Sequence, residues 1–179
     1  MFAFEIYGKR EVRAMSLDSN QAAADTSQDI YETHFHSPAM KEFLTKIPPT
    51  MTTGLDLAHY ESLGGFLDRP GDRTECGIMQ DVSITCNSPD AWRTVAEKLK
   101  KLTEATEAAG DETVYTFMVF KSLDDETGLR IFGRYKDRDA LKKYESKKEV
   151  VGFWMDTKDE IATMRQRCYV HNGKGWLHR

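Results

Sequence analysis

Residues 114–154, VYTFMVFKSLDDETGLRIFGRYKDRDALKKYESKKEVVGFW, confine the fold more than any other part of the chain. The front of this stretch is two runs of β-branched and aromatic residues, 114–121 and 129–135. Between them, Ser122, Asp124, Asp125 and Gly128 supply turn chemistry. After Tyr135 the apolar period lengthens from two to nearly four, which puts Ala140, Leu141 and Tyr144 on one side of a helix and charge on the other. A tight strand pair followed by an amphipathic helix must fold that helix back over the sheet, which is half of a ferredoxin-like unit.

The flanking sequence supplies the other half. From Gly77 onward Ile78, Val82, Ile84 and Cys86 fall on one face of a strand, and Met79, Asp81, Ser83 and Thr85 on the other. Ser88 and Pro89 then start a long amphipathic helix with Trp92, Val95, Ala96, Leu99 and Leu102 at spacings of three and four, and Gly110 closes it. A second short helix is predicted over 147–155 and a last strand over 164–170, with Trp176 in a final extended piece. The order strand, helix, strand, strand, helix, strand is the split βαβ arrangement, so the expected class is α+β.

The N-terminal part is less regular. Residues 2–7 suit a strand, 12–28 are a polar segment without an apolar stripe, and 29–44 carry helical spacing through Tyr31, Phe35, Met40, Phe43 and Leu44. Within it Ser37 and Pro38 form a helix start, and Pro48 and Pro49 end the helix. Residues 54–67 are expected to be a strand interrupted at Gly64 and Gly65, and 68–74 a linker.

Comparing the chain with itself relates these two parts. At a shift of 110 residues Asp29 meets Asp139, His34 meets Tyr144, Phe43 meets Phe153 and Leu44 meets Trp154; Gly65, Phe66 and Leu67 then meet Gly175, Trp176 and Leu177. The expected organisation is an incomplete repeat over 1–72, holding only its back half and interrupted by 12–28, followed by a complete repeat over 73–179. The inserted segment begins with valine, whose codons start GT, and ends with glutamine, which CAG encodes, so it reads as a retained intron or as a genuine surface loop. Sequencing of mature transcript separates the two.

Composition narrows the partners. The chain has 179 residues, 25 Lys and Arg against 29 Asp and Glu, and a formal net charge of -4, which gives no global attraction to nucleic acid or to an anionic membrane. No apolar run approaches the length of a bilayer span, and Met1 to Tyr7 meets charge too early for a secretory signal. Cys76, Cys86 and Cys168 are odd in number and lack metal-ligand spacing, which fits a reducing, cytoplasmic setting. Self-association is expected, because half a sheet exposes strand edges that proteins normally cover.

The run 114–154, together with DIYETHFHSPAMKEFL at 29–44, resembles the antibiotic biosynthesis monooxygenase family of dimeric α+β barrels. The resemblance extends over most of 77–176 and, in partial form, over 2–67. It implies two sheets packed around apolar pockets and, in the catalytic members, oxidation of a quinol, aromatic or polyketide-like molecule by dioxygen without a cofactor. Other members degrade haem, with an Asn on the first strand, a Trp on a later strand and a helical His. Here Asn87 lies past the end of the first strand and 129–135 contains no Trp, so haem degradation is not expected. A ligand-binding or dimerisation module without catalysis is the alternative.

Cofactor-free oxygenation needs an apolar cavity, a base, and donors that stabilise an organic anion. His34 is the candidate base, its imidazole titrating in the useful range; its plain reading is a half-exposed helix histidine. Tyr115 is a second catalytic candidate, against a plain reading as core. Substrate-binding candidates are His59 and Tyr60, of which strand alternation turns only one inward, with Tyr144, Trp154 and Trp176 as aromatic walls. Arg130 and Arg134 alternate with core residues and so face away from the main core, where they can meet an anion only if that face is part of a site. No phosphate loop, nucleophile elbow or Cys-x-x-Cys pair is present.

Overall fold

Serine and aspartate caps fix where three of the described helices begin. A computed structural model of the chain describes residues 5–7, 33, 36–46, 49, 58–67 and 76–170. The chain divides into two units, Met1–His59 and Tyr60–Arg179. The first contains strand β1 (Glu5–Tyr7) and helix α1 (Pro38–Lys46). Ser37 Oγ accepts a hydrogen bond from the Met40 amide at 3.2 Å with Pro38 as the first helical residue, as its sequence requires.

The second unit follows strand β2 (His59–Phe66) with β3 (Ile78–Cys86), α2 (Pro89–Ala108), β4 (Val114–Ser122), β5 (Gly128–Tyr135), α3 (Arg138–Glu145), α4 (Lys148–Thr157) and β6 (Ile161–Tyr169). Its strands lie in the order β2-β4-β5-β3-β6, with every neighbouring pair antiparallel. From β3 onward this is the ferredoxin-like arrangement, with β2 added along the edge of β4.

Local chemistry accounts for four of the connections. Ser88 Oγ accepts from the Ala91 amide at 3.1 Å ahead of Pro89, and Asp137 Oδ1 accepts from the Ala140 amide at 2.8 Å to start α3. Between β4 and β5, Ser122 Oγ takes the amides of Asp124 and Asp125, and Asp125 Oδ1 takes the amide and hydroxyl of Thr127. Gly110 has φ +62°, the left-handed conformation that ends a helix at low cost.

All three helices of this unit cover one face of the sheet. Val95, Ala96, Leu99 and Leu102 of α2, Ala140, Leu141 and Tyr144 of α3, and Val150 and Phe153 of α4 form one cluster with alternate residues of β3, β4 and β5. The opposite side of the sheet, the distal face, therefore carries the remaining alternates.

Two expectations change in detail. β6 begins at Ile161, earlier than position 164, because its pairing with β3 continues through Thr85↔Thr163 to Cys86↔Ile161 and the Asn87 amide also donates to Glu160 O at 2.8 Å. β2 begins at His59; residues 54–57 and the 68–74 linker lie outside the described residues. Backbone pairing joins β2 to β4 from Tyr60 to Phe66. That pairing is irregular between Ser62 and Gly64, and Gly65 at φ +110° lies so close to β4 that a Cβ would sit 2.0 Å from the Phe117 carbonyl oxygen. Among the described residues no helix is long and apolar enough to cross a membrane.

Candidate functional site

Strand register assembles the chemistry of the distal face. Residues directly opposite one another across a ladder share a face, so Phe120, Arg130, Ser83 and Arg165 form one row from β4 to β6. Met118, Phe132, Asp81 and Arg167 form the next row, and Thr116, Arg134, Met79 and Tyr169 the third. None of these residues belongs to the helix-covered cluster.

The centre of the face is an ion pair between strands. Arg130 Nε donates to Asp81 Oδ1 at 2.6 Å and Nη2 donates to Asp81 Oδ2 at 2.7 Å, a two-pronged contact. The two side chains are 12% and 6% exposed, so the pair is held largely out of water. Burial, the largest influence on the Arg130 guanidinium, pulls its pKa down, but the hydrogen bonds and charge of Asp81, joined by the contact with Tyr60, outweigh it and hold the pKa above its ordinary value. Arg130 remains a cation throughout.

Arg130 also positions Tyr60. Its Nη1 donates to the Tyr60 hydroxyl oxygen at 3.0 Å, and the guanidinium carbon lies 5.2 Å from the centre of the Tyr60 ring. The Tyr60 ring in turn meets Phe120 edge-on at 6.4 Å. A phenol that accepts from a cation keeps its own proton for donation, and the cation increases its strength as a donor. The chain Asp81–Arg130–Tyr60 thus directs an O–H group within an aromatic setting, one way to stabilise a phenolate or carbanion oxygen.

Further along, Arg134 is 1% exposed and its Nη1 lies 3.4 Å from the Thr116 hydroxyl oxygen, to which it donates. Tyr115 is 6% exposed and falls at the register shift between Val114 and Thr116, an irregularity of the β4–β5 ladder.

The residues singled out from sequence do not all come together. Tyr60 is on the distal face, and half-buried His59 precedes it at the start of β2. Tyr144 is on the helix side, 3% exposed, against Phe117 at 5.3 Å and Tyr135 at 5.4 Å, with its hydroxyl 3.0 Å from that of Thr106. Burial raises the pKa values of Tyr144 and Tyr135 above the ordinary phenol value, so both stay neutral. Trp154 is half-buried on α4 and packs edge-on against Phe153 at 4.8 Å, also on the helix side. His34 and Trp176 lie outside the described residues. Cys86 belongs to the core, where burial pushes its thiol up to about 11, so it carries almost no thiolate at neutral pH.

Sequence reasoning missed Asp81. Its signal was present, a carboxylate on the polar side of an otherwise apolar strand. Its partner, however, is 49 residues away in the chain and one diagonal step away in the sheet, visible only once Asp81 is known to face Phe132.

No family model matches the sequence. No curated protein matches it either. Solved structures do. A protein from Fusobacterium nucleatum subsp. nucleatum, named provisionally as a monooxygenase, superposes with a TM-score of 0.65 at 21% identity, over 76% of this chain and 61% of that one. A provisionally named monooxygenase from Lactobacillus acidophilus gives 0.56 at 12% identity, over 81% and 64%. A protein from Nitrosomonas europaea, named provisionally as an antibiotic biosynthesis monooxygenase, gives 0.47 at 14% identity, over 53% and 98%. This chain spans less than two thirds of the length of the first two. The fold is the ferredoxin-like α+β fold that those two share, as the resemblance at 114–154 implies.

Proposed function

We propose that this protein is a monooxygenase that uses no cofactor and oxidises an aromatic or quinol-like molecule on the distal face of its sheet. The observation that carries the reading is the Asp81–Arg130–Tyr60 chain, which aims a phenol donor into an aromatic setting on the side of the sheet that the helix-facing core does not use. The provisional names of the structural neighbours agree with the general kind of activity.

In the proposed reaction an activated C–H bond of the substrate is deprotonated, and the resulting anion gives one electron to dioxygen. The substrate radical and superoxide combine into a carbon-bound peroxide, which takes up the proton. Loss of water from that hydroperoxide leaves a carbonyl: one oxygen atom of dioxygen stays in the product and the other leaves as water. Tyr60, held by Arg130, donates to the substrate oxygen on which the anion is centred. Asp81 is a positioning residue that fixes the guanidinium. His34 and Tyr115 are the candidates for proton removal, and His59 and Trp176 for substrate binding; Tyr144 and Trp154 lie on the helix side and take no part in a site on the distal face.

Oxygen uptake with an anthrone, in which a CH2 becomes C=O and water is released, tests the proposal. Expected are uptake by the parent protein, a loss of about 100-fold in kcat for Tyr60→Phe, and a loss for His34→Ala that identifies the base. A folded parent protein that consumes no oxygen and shows no change on His34→Ala would instead favour the binding or dimerisation module.

A further inference from the structure

Strand β2 presents its side chains in an order that a regular strand cannot produce. Side chains of a regular strand alternate, so residues an even number of positions apart share a face. Phe66, opposite Phe117, packs against the helix-side cluster, yet Tyr60, opposite Ser122, lies on the distal face against Arg130 and Phe120. An extra residue between them accounts for the change. Ser62 is opposite Phe120 and Gly64 is opposite Val119, which are neighbours on β4, so Leu63 is the residue left over in the ladder. Leu63 packs against the helix-side cluster as Phe66 does, although regular alternation would put the two on opposite faces.

Two glycines hold this bulge. Gly64 has φ +149° and Gly65 φ +110°, both in the region that L side chains rarely adopt. A Cβ on Gly65 would collide with the Phe117 carbonyl oxygen, whereas one on Gly64 would meet Thr103 Oγ1 at 3.4 Å, an ordinary contact. With Gly64, Gly65 and Phe66 in place, a straight β2 would set Leu63 opposite Phe120, Ser62 opposite Lys121 and Glu61 opposite Ser122. Glu61, which pairs with Lys121 at 2.8 Å, would then enter the distal face, and Tyr60 would leave Arg130 for the helix side. A carboxylate would stand where the bulged strand supplies a phenol donor.

We infer that the bulge at Leu63, Gly64 and Gly65 is the device that aims the candidate donor, turning Tyr60 onto Arg130 while Leu63 and Phe66 stay against the core. The three are positioning residues, acting through Tyr60. This rests on the reading of Tyr60 as the donor of the distal face, and it names what directs that donor.

A probe at position 60 reads this direction without substrate. 3-Fluorotyrosine placed there in the full chain gives a fluorine resonance that should move when Arg130→Lys is introduced, because the two groups are in contact. Gly65→Ala should abolish that response and lower kcat for anthrone oxidation about 100-fold, as Tyr60→Phe does. Gly64→Ala has room for its Cβ and opposes only the backbone conformation, so it reads the same loss should Gly65→Ala fail to fold. Deletion of Leu63 is the decisive change: it brings Ser62 and Gly64 together opposite neighbours on β4, with no bulge and with Tyr60 still opposite Ser122. Made in the Gly64→Ala chain, it should restore the response to Arg130→Lys and recover kcat by about 10-fold or more, although it removes a side chain packed on the core. Glycines that served stability alone would give no such rescue. A response that survives Gly64→Ala, or a folded Gly64→Ala chain in which deletion of Leu63 restores nothing, overturns the inference. A parent protein that consumes no oxygen while the resonance follows the expected pattern overturns the monooxygenase reading and upholds the bulge as the element that aims Tyr60.

Discussion

The two faces of one sheet use opposite physical strategies. Toward the helices, β3, β4 and β5 present Ile78, Val82, Ile84, Val114, Phe117, Val119, Leu129 and Ile131, and the polar groups among them are tied in place: Tyr135 donates to Gln80, which donates to Glu145 on α3. On the distal face the same strands present Asp81, Arg130, Arg134 and Thr116, buried to a similar degree but held by charge-assisted hydrogen bonds. Apolar burial stabilises almost regardless of orientation, whereas a buried ion pair roughly offsets its own desolvation and contributes mainly geometry. The helix side is where stability resides, and the distal side is where a sequence can hold reactive groups in fixed positions.

The largest effect should come from the helix side. Phe117→Ala removes a ring that is 2% exposed and packed at a tilt against Tyr144, and should cost about 3–5 kcal/mol in chemical denaturation, enough to unfold much of the population. A loss below about 1 kcal/mol would mean that the helix side is not the source of stability.

The next test separates charge from geometry on the distal side. Asp81→Leu alone leaves Arg130 buried without its carboxylate and should destabilise by about 3–5 kcal/mol, while the double change Asp81→Leu with Arg130→Met should recover most of that loss. The double variant should nevertheless lose oxygen uptake. Stability and activity recovering together would abolish the distinction between the faces.

The smallest effect concerns a pair outside both faces. Asp111 accepts from Lys147 at 2.7 Å and from the amide and hydroxyl of Thr113, and these bonds, that from Lys147 first, hold its carboxyl well below the usual range despite partial burial. A folded-state pKa below the unfolded one contributes stability that is present above the unfolded value, near 4 for an ordinary Asp, and is lost as pH falls below it. Asp111→Asn should therefore cost about 1–2 kcal/mol at neutral pH. Its thermal midpoint should fall less steeply than the parent's between pH 4 and pH 2. Parallel midpoint curves would refute the assignment.

Much of this was legible beforehand because it is local. Ser37, Ser88 and Asp137 bond to amides three residues ahead, and the core positions of β3 and α2 follow from periods of two and 3.6. Tyr144 shows the limit of reading function from such patterns: it shares a helical stripe with Ala140 and Leu141, and that stripe is core. What could not be read locally depended on register. Neither the Asp81–Arg130 contact nor the alignment of Arg165 and Arg167 with it follows from any single strand, because one residue of slip exchanges every face.

That dependence gives the Asp81–Arg130 pair a consequence for how the sheet is aligned. The two groups meet only after β3 and β5 have closed in their final alignment, across 49 residues of chain. An alignment displaced by one position would turn Asp81 toward the helix-side cluster, stranding a carboxylate in hydrocarbon at a cost of several kcal/mol. The pair therefore favours the final register of the sheet over a slipped one.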